Sequence, residues 1–154
     1  MKKSTILVIL AVYLIAFFVV GLLGISIRSN YVVNYVNEIQ VTAVEDQPYL
    51  TLTNHEREEK KELKEEDTKY YNTYTYRVAY EKNIIAKFKV RLLPDNTSFT
   101  KFNIYYTEST RYTVEVHDNE FVYVTFLKGK TNALITLESI DGNKTYSTID
   151  ITAR

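Results

Sequence analysis

Between Ile84 and Leu92 every second residue is apolar: Ile84, Ala86, Phe88, Val90 and Leu92 alternate with Ile85, Lys87, Lys89 and Arg91. A helix would scatter these side chains around its circumference. A strand sends successive side chains to opposite faces, so the pattern specifies a sheet with one buried and one wet face. The same period of two runs through Tyr74, Tyr76, Val78 and Tyr80, then Phe102, Ile104 and Tyr106, then Tyr112, Val114 and Val116. Phe121 to Lys128, Ala133 to Ile140 and Thr145 to Thr152 also have strand character, as do Ile39 to Val44 and Tyr49 to Thr53. Turn formers separate them at Pro94-Asp95-Asn96, Asp118-Asn119, Gly129-Lys130 and Asp141-Gly142.

About nine short strands with close turns predict an all-β fold. The expected architecture is an antiparallel two-sheet sandwich, immunoglobulin-like in layout alone because the cysteine and tryptophan hallmarks are absent; an open β-barrel is the alternative. In an antiparallel chain each turn reverses direction, so turns fall alternately at two poles. Counted this way, the Asp95, Asp118 and Asp141 turns gather at one pole, together with the segment that brings the chain in. Gly129 and Arg154 fall at the other. The first pole is expected to face a bilayer.

That expectation comes from the start of the chain. Ile6 to Ile25 is an apolar run interrupted only by the hydroxyl of Tyr13. As a helix of about 1.5 Å rise per residue it matches a hydrocarbon core of roughly 30 Å. Lys2 and Lys3 precede the run, and Arg28 is the only nearby cation after it, so the positive-inside bias keeps the N-terminus in the cytoplasm. The expected organisation is a cytoplasmic N-terminus at 1–5, a single-pass transmembrane anchor at 6–27 contacting the lipid bilayer, and a membrane-proximal connector at 28–38. An extracytoplasmic β-domain at 39–154 carries a charged insertion at 55–69. A cleaved signal ending near Gly24-Ile25-Ser26 is the competing expectation and would release a secreted domain. Arg28 to Glu38 fits either a continued helix or a strand start.

Composition removes several classes of chemistry. With no cysteine there is no disulfide framework, thiol chemistry, cysteine-ligated metal or lipid attachment to cysteine. A formal charge of +0 argues against nucleic acid, which needs a basic face for counterion release. The chain lacks GxSxG, Walker, HExxH and CxxC motifs, so no catalytic residue, cofactor or metal site is assigned and the protein is expected not to be an enzyme. His55 and His117 sit in a charged run and before a turn, where a surface role suffices. Asn96-Thr97-Ser98 and Asn143-Lys144-Thr145 match the glycosylation sequon, which matters only in a eukaryotic host.

Two features are left for function. His55 to Lys69 interleaves Glu56, Glu58, Glu59, Glu62, Glu65, Glu66 and Asp67 with five cations around a single Leu63. It cannot bury an apolar face and is expected to be a solvated insertion or short helix. Tyrosine is the compositional outlier, with 14 in the chain, all but Tyr13 beyond the apolar run. Tyr71 and Tyr105 lie opposite the apolar residues of their own strands, so they are the candidate binding residues, presenting rings to a sugar or peptide. The chain is therefore expected to be a membrane-tethered binding or scaffolding module of a bacterial envelope assembly, its partner an envelope protein or glycan. A secreted ligand-binding domain and an envelope hydrolase with an unfamiliar site are the alternatives.

Overall fold

The computed structural model of the chain describes residues 9–21, 33–61 and 68–154. Contacts divide it into two compact units, Met1–Val33 and Asn34–Arg154. In the first, residues 9–21 form a helix whose side chains are exposed. No described helix is long and apolar enough to cross a membrane. The remainder of the expected anchor, 6–8 and 22–27, lies outside the described residues, as do 28–32 of the expected connector; its residues 33–37 are irregular and lead into a strand at Glu38.

The second unit is built from nine strands: β1 (Glu38–Ala43), β2 (Leu50–Lys60), β3 (Lys69–Val78), β4 (Ile84–Leu93), β5 (Phe102–Tyr106), β6 (Tyr112–His117), β7 (Phe121–Phe126), β8 (Thr131–Ser139) and β9 (Tyr146–Ala153). They form one curled sheet in the order β5-β8-β9-β3-β1-β4-β7-β6, a half-barrel, with β2 paired to β3. The all-β expectation is met. The expectation of purely antiparallel pairing is not, because β3 runs parallel to both β9 and β1. Both β1 and β3 start from the pole where the chain enters, and long connections let such strands lie side by side.

The charged segment is a second correction. His55 to Lys60 is neither a loop nor a helix but the C-terminal half of β2, paired residue for residue with β3 from His55↔Tyr74 to Lys60↔Lys69. Its side chains stay exposed on both faces. Hydrogen bonding to the edge of β3 therefore supplies the strand that apolar periodicity could not. Residues 62–67 of the segment lie outside the described residues, and its last residue, Lys69, begins β3 and is buried.

The concave face of the curl is the core. Ile39 and Val41 of β1, Tyr74, Tyr76 and Val78 of β3, and Ala86, Phe88 and Val90 of β4 are buried there with the alternating residues of β7, β8 and β9. Tyr76 meets Phe88 across the curl at a ring separation of 4.9 Å. On β4, Lys89 and Arg91 are exposed as alternation requires, whereas Lys87 and Leu92 are half-buried. The Lys87 ammonium lies 5.4 Å from the Tyr123 ring centroid, which keeps its stem against the sheet.

The turns sort into two poles. Asp95 and Asp118 line one shallow cleft of about 370 Å³. Asp141 accepts the Val36 amide proton at 2.6 Å, and two residues before Val36 the Asn34 side chain donates to the Asn96 carbonyl. Gly129 lies at the other end, where a Cβ would stand 2.8 Å from the Tyr80 ring, and Tyr80 in turn bonds the Arg154 carbonyl. The turns at Asp118, Asn119 and Gly142 take positive φ, which Asp, Asn and Gly tolerate best.

Candidate binding face

The convex face of β5, β8, β9, β3 and β2 carries both tyrosines expected to bind. Register places its side chains in rows. One row runs Tyr105, Thr136, Thr148, Thr73, Glu56 across the five strands. The next begins Asn103, Glu138, Tyr146, and continues through Tyr71 to Glu58. Tyr146 joins the second row because its ring lies 4.4 Å from that of Tyr71. A third row sets Leu134 beside Asp150, Thr75 and Asn54. The two expected tyrosines are three strands apart, about 14 Å at the usual strand spacing.

Their surroundings differ. Tyr105 is 52% exposed, with Leu134 at the diagonal position exposed beside it. Tyr71 corrects the expectation of a free ring: it is half-buried, with Tyr146 on one side and the Lys60 ammonium 4.8 Å from its centroid. Tyr146 is the exposed member of that pair. Sequence reasoning missed it because the residue lies at the start of β9, 75 positions from Tyr71, and only the parallel β3–β9 register brings them together. The period-two pattern of β9 did place Tyr146 on the same face as Thr148 and Asp150, and that was the available signal.

A polar seam under the concave edge of β2 holds this platform in place. Glu38, 5% exposed, accepts hydrogen bonds from Arg57 at 2.7 Å, Asn72 at 3.1 Å and Gln40 at 3.2 Å. Arg57 also covers the Tyr70 ring at 3.9 Å. His55 stacks on Tyr74 at 4.3 Å and contacts the Asn72 side-chain oxygen at 3.0 Å. Burial raises the Tyr74 phenol above its ordinary pKa, opposed by a backbone hydrogen bond from Val41. Burial, followed by the neighbouring Tyr74, pushes Tyr76 up to about 12. These groups are satisfied by one another and lock β1, β2 and β3 in register.

The other convex face, over β1, β4, β7 and β6, has a different chemistry. Lys87, Lys89 and Arg91 stand in line on β4 beside Phe121, Tyr123 and His117. Lys89 is paired with Glu120 at 2.8 Å and Arg91 with Asp95, while Lys87 lies over Tyr123. Each cation already faces a carboxylate or a ring. His117 ends β6 ahead of the Asp118 turn, 3.3 Å from Glu115. Among the described residues, no three His, Cys, Asp or Glu side chains form a group able to hold a metal ion. In comparison with known proteins, the chain matches no family model and no curated protein.

Proposed function

We propose that this chain is a membrane-tethered extracytoplasmic binding or scaffolding module of a bacterial envelope assembly, held by residues 6–27 and contacting an envelope glycan or protein through the tyrosine-bearing convex face. The observation that carries the reading is the placement of Tyr105, Tyr146 and Tyr71 on one wet surface with a row of threonines between them. Rings supply contact area at low entropy cost, and hydroxyls with Glu138 and Asp150 supply donors and acceptors for a polar chain lying across the strands. We further read the curl as two layers, β2-β3-β9-β8-β5 over β1-β4-β7-β6, joined at the single Glu38↔Tyr70 bridge. No catalytic step is assigned.

The test is retention of envelope material by the full chain in native membranes, compared with a Tyr105→Ser/Tyr146→Ser variant. Aromatic anchors contribute about 2 kcal/mol or more each, so the double variant should lose on the order of a thousandfold in affinity while melting normally. A variant that retains everything the parent retains would remove this face from consideration. Intact mass of the natural protein decides between anchor and secreted domain, since cleavage near Ser26 removes about 26 residues.

A further inference from the structure

Strand β2 is 11 residues long, touches the core only through half-buried Leu50 at its start, and has β3 as its one strand partner among the described residues. Its other edge is a row of backbone donors and acceptors without a neighbouring strand, the feature by which sheets recruit another chain. Natural edges of this kind are commonly guarded by like charges or lysines. The charges here are of mixed sign: Glu56, Arg57, Glu58, Glu59, Lys60.

We infer that this edge pairs with the same edge of a second copy, antiparallel, with Glu58 on the two-fold axis. Two-fold pairing requires opposed residues to share a face, which limits the centre to a single residue. Centring on Glu58 sets Glu56 opposite Lys60 and Arg57 opposite Glu59, each twice, against one Glu58–Glu58 contact and His55 opposite Lys61. Centring on Arg57 instead sets Glu56 against Glu58 twice. Centring on Glu59 offsets two Glu58–Lys60 pairs with two Arg57–Lys61 contacts, centring on Lys60 gives opposite-sign pairs among the described residues only at Glu59–Lys61, and centring on Glu56 creates no opposite-sign pair. Cross-strand pairs of opposite charge favour a register and like pairs oppose it, so the sequence selects Glu58. The choice leaves the two chains' points of entry only two residues apart along the strands, about 7 Å, because Glu38 and Glu59 both pair with Tyr70. Seven residues a side is far below a standard interface, so the pair is weak and needs trapping.

The chain contains no cysteine, so single substitutions give clean probes. In the full chain in detergent, Glu58→Cys on the axis should oxidise to a disulfide-linked dimer, since opposed antiparallel residues have Cα atoms about 4.5–5.5 Å apart, within disulfide reach. Thr51→Cys, seven residues from the axis, would place its thiols about 46 Å apart and should cross-link at least about tenfold less. Adding Glu56→Lys to Glu58→Cys should reduce the dimer several-fold, and adding Lys60→Glu as well should restore it. Equal cross-linking by Glu58→Cys and Thr51→Cys overturns the pairing, whether the edge is merely guarded or takes an extended segment of another protein. Failure of Lys60→Glu to restore overturns the register.

Discussion

β2 and β3 are neighbours, hydrogen-bonded over almost their whole lengths, yet they live in different environments. In β3, Asn72, Tyr74, Tyr76 and Val78 are buried on the concave face. In β2 nothing is buried, although His55 and Arg57 lie on that same face. The difference shows that pairing and burial are separable: β3 is specified by apolar alternation, β2 by the edge that β3 presents to it. A strand of the second kind can carry any charge pattern its exposed faces tolerate. It is therefore where a chain can vary its surface without disturbing its core.

The contrast is broken most severely by mutation of the core. Phe88→Ala, at a fully buried side chain, should cost about 3–5 kcal/mol, while Glu58→Ala on β2 should stay within about 0.5 kcal/mol. Urea midpoints measure both, and comparable losses would show that β2 is a packed part of the fold.

Alkaline pH sharpens the comparison next. Because burial raises Tyr76 to about 12, the folded state holds that proton more tightly than the unfolded chain, whose phenol titrates near the ordinary value. The resulting stability is complete below about pH 10 and is lost as pH rises toward about 12, a change on the order of 2–3 kcal/mol. Tyr74 and Tyr112 are shifted in the same direction, also mainly by burial. Urea midpoints between pH 9 and 12 should fall, and Tyr76→Phe should flatten part of that fall; an unchanged slope in the variant would show that the transition arises elsewhere.

The smallest effect concerns the seam between the two strands. Arg57→Ala leaves Glu38, whose side chain is 7% exposed, with Asn72 and Gln40 but without its cation. Arg57 itself is half-exposed, which weakens the pair, so the expected loss is about 1–2 kcal/mol. A double-mutant cycle with Glu38→Gln should recover part of it. Strict additivity would mean that the two side chains do not act together.

Much of this architecture is visible in local sequence. The alternations of β3 and β4 gave strands with the correct inward face, β7, β8 and β9 were legible as strands, and Asp118-Asn119 and Asp141-Gly142 became turns with positive φ. Their signals are short-range: side-chain polarity at spacing two, and residues that accept left-handed backbone. Three features depend on partners distant in the chain and left no such trace. The C-terminal half of β2 has no apolar period of its own, the parallel placement of β3 between β1 and β9 depends on long connections, and the Tyr71–Tyr146 contact depends on that placement. The candidate face was accordingly half legible. Alternation identified the side of the sheet, and only register identified which rings share it.

The segment that leads into β1 is fixed with unusual density. Val36 is fully buried; its amide donates to Asp141, and its carbonyl accepts from Asn143 and from Thr145 at 2.7 Å. The Asn34 carbonyl is held by Ser98 and Thr97, and Asn37 donates to the Leu93 carbonyl. From there β1 continues into the middle of the sheet, antiparallel to β4 through six residue pairs from Glu38↔Leu93 to Ala43↔Phe88. The consequence is mechanical. Tension applied at Asn34 along β1 loads those pairs together, in shear, and meets the turns at Ser98 and Asp141 before it reaches the sheet. A strand at the margin would unzip one bond at a time; this one shares the load.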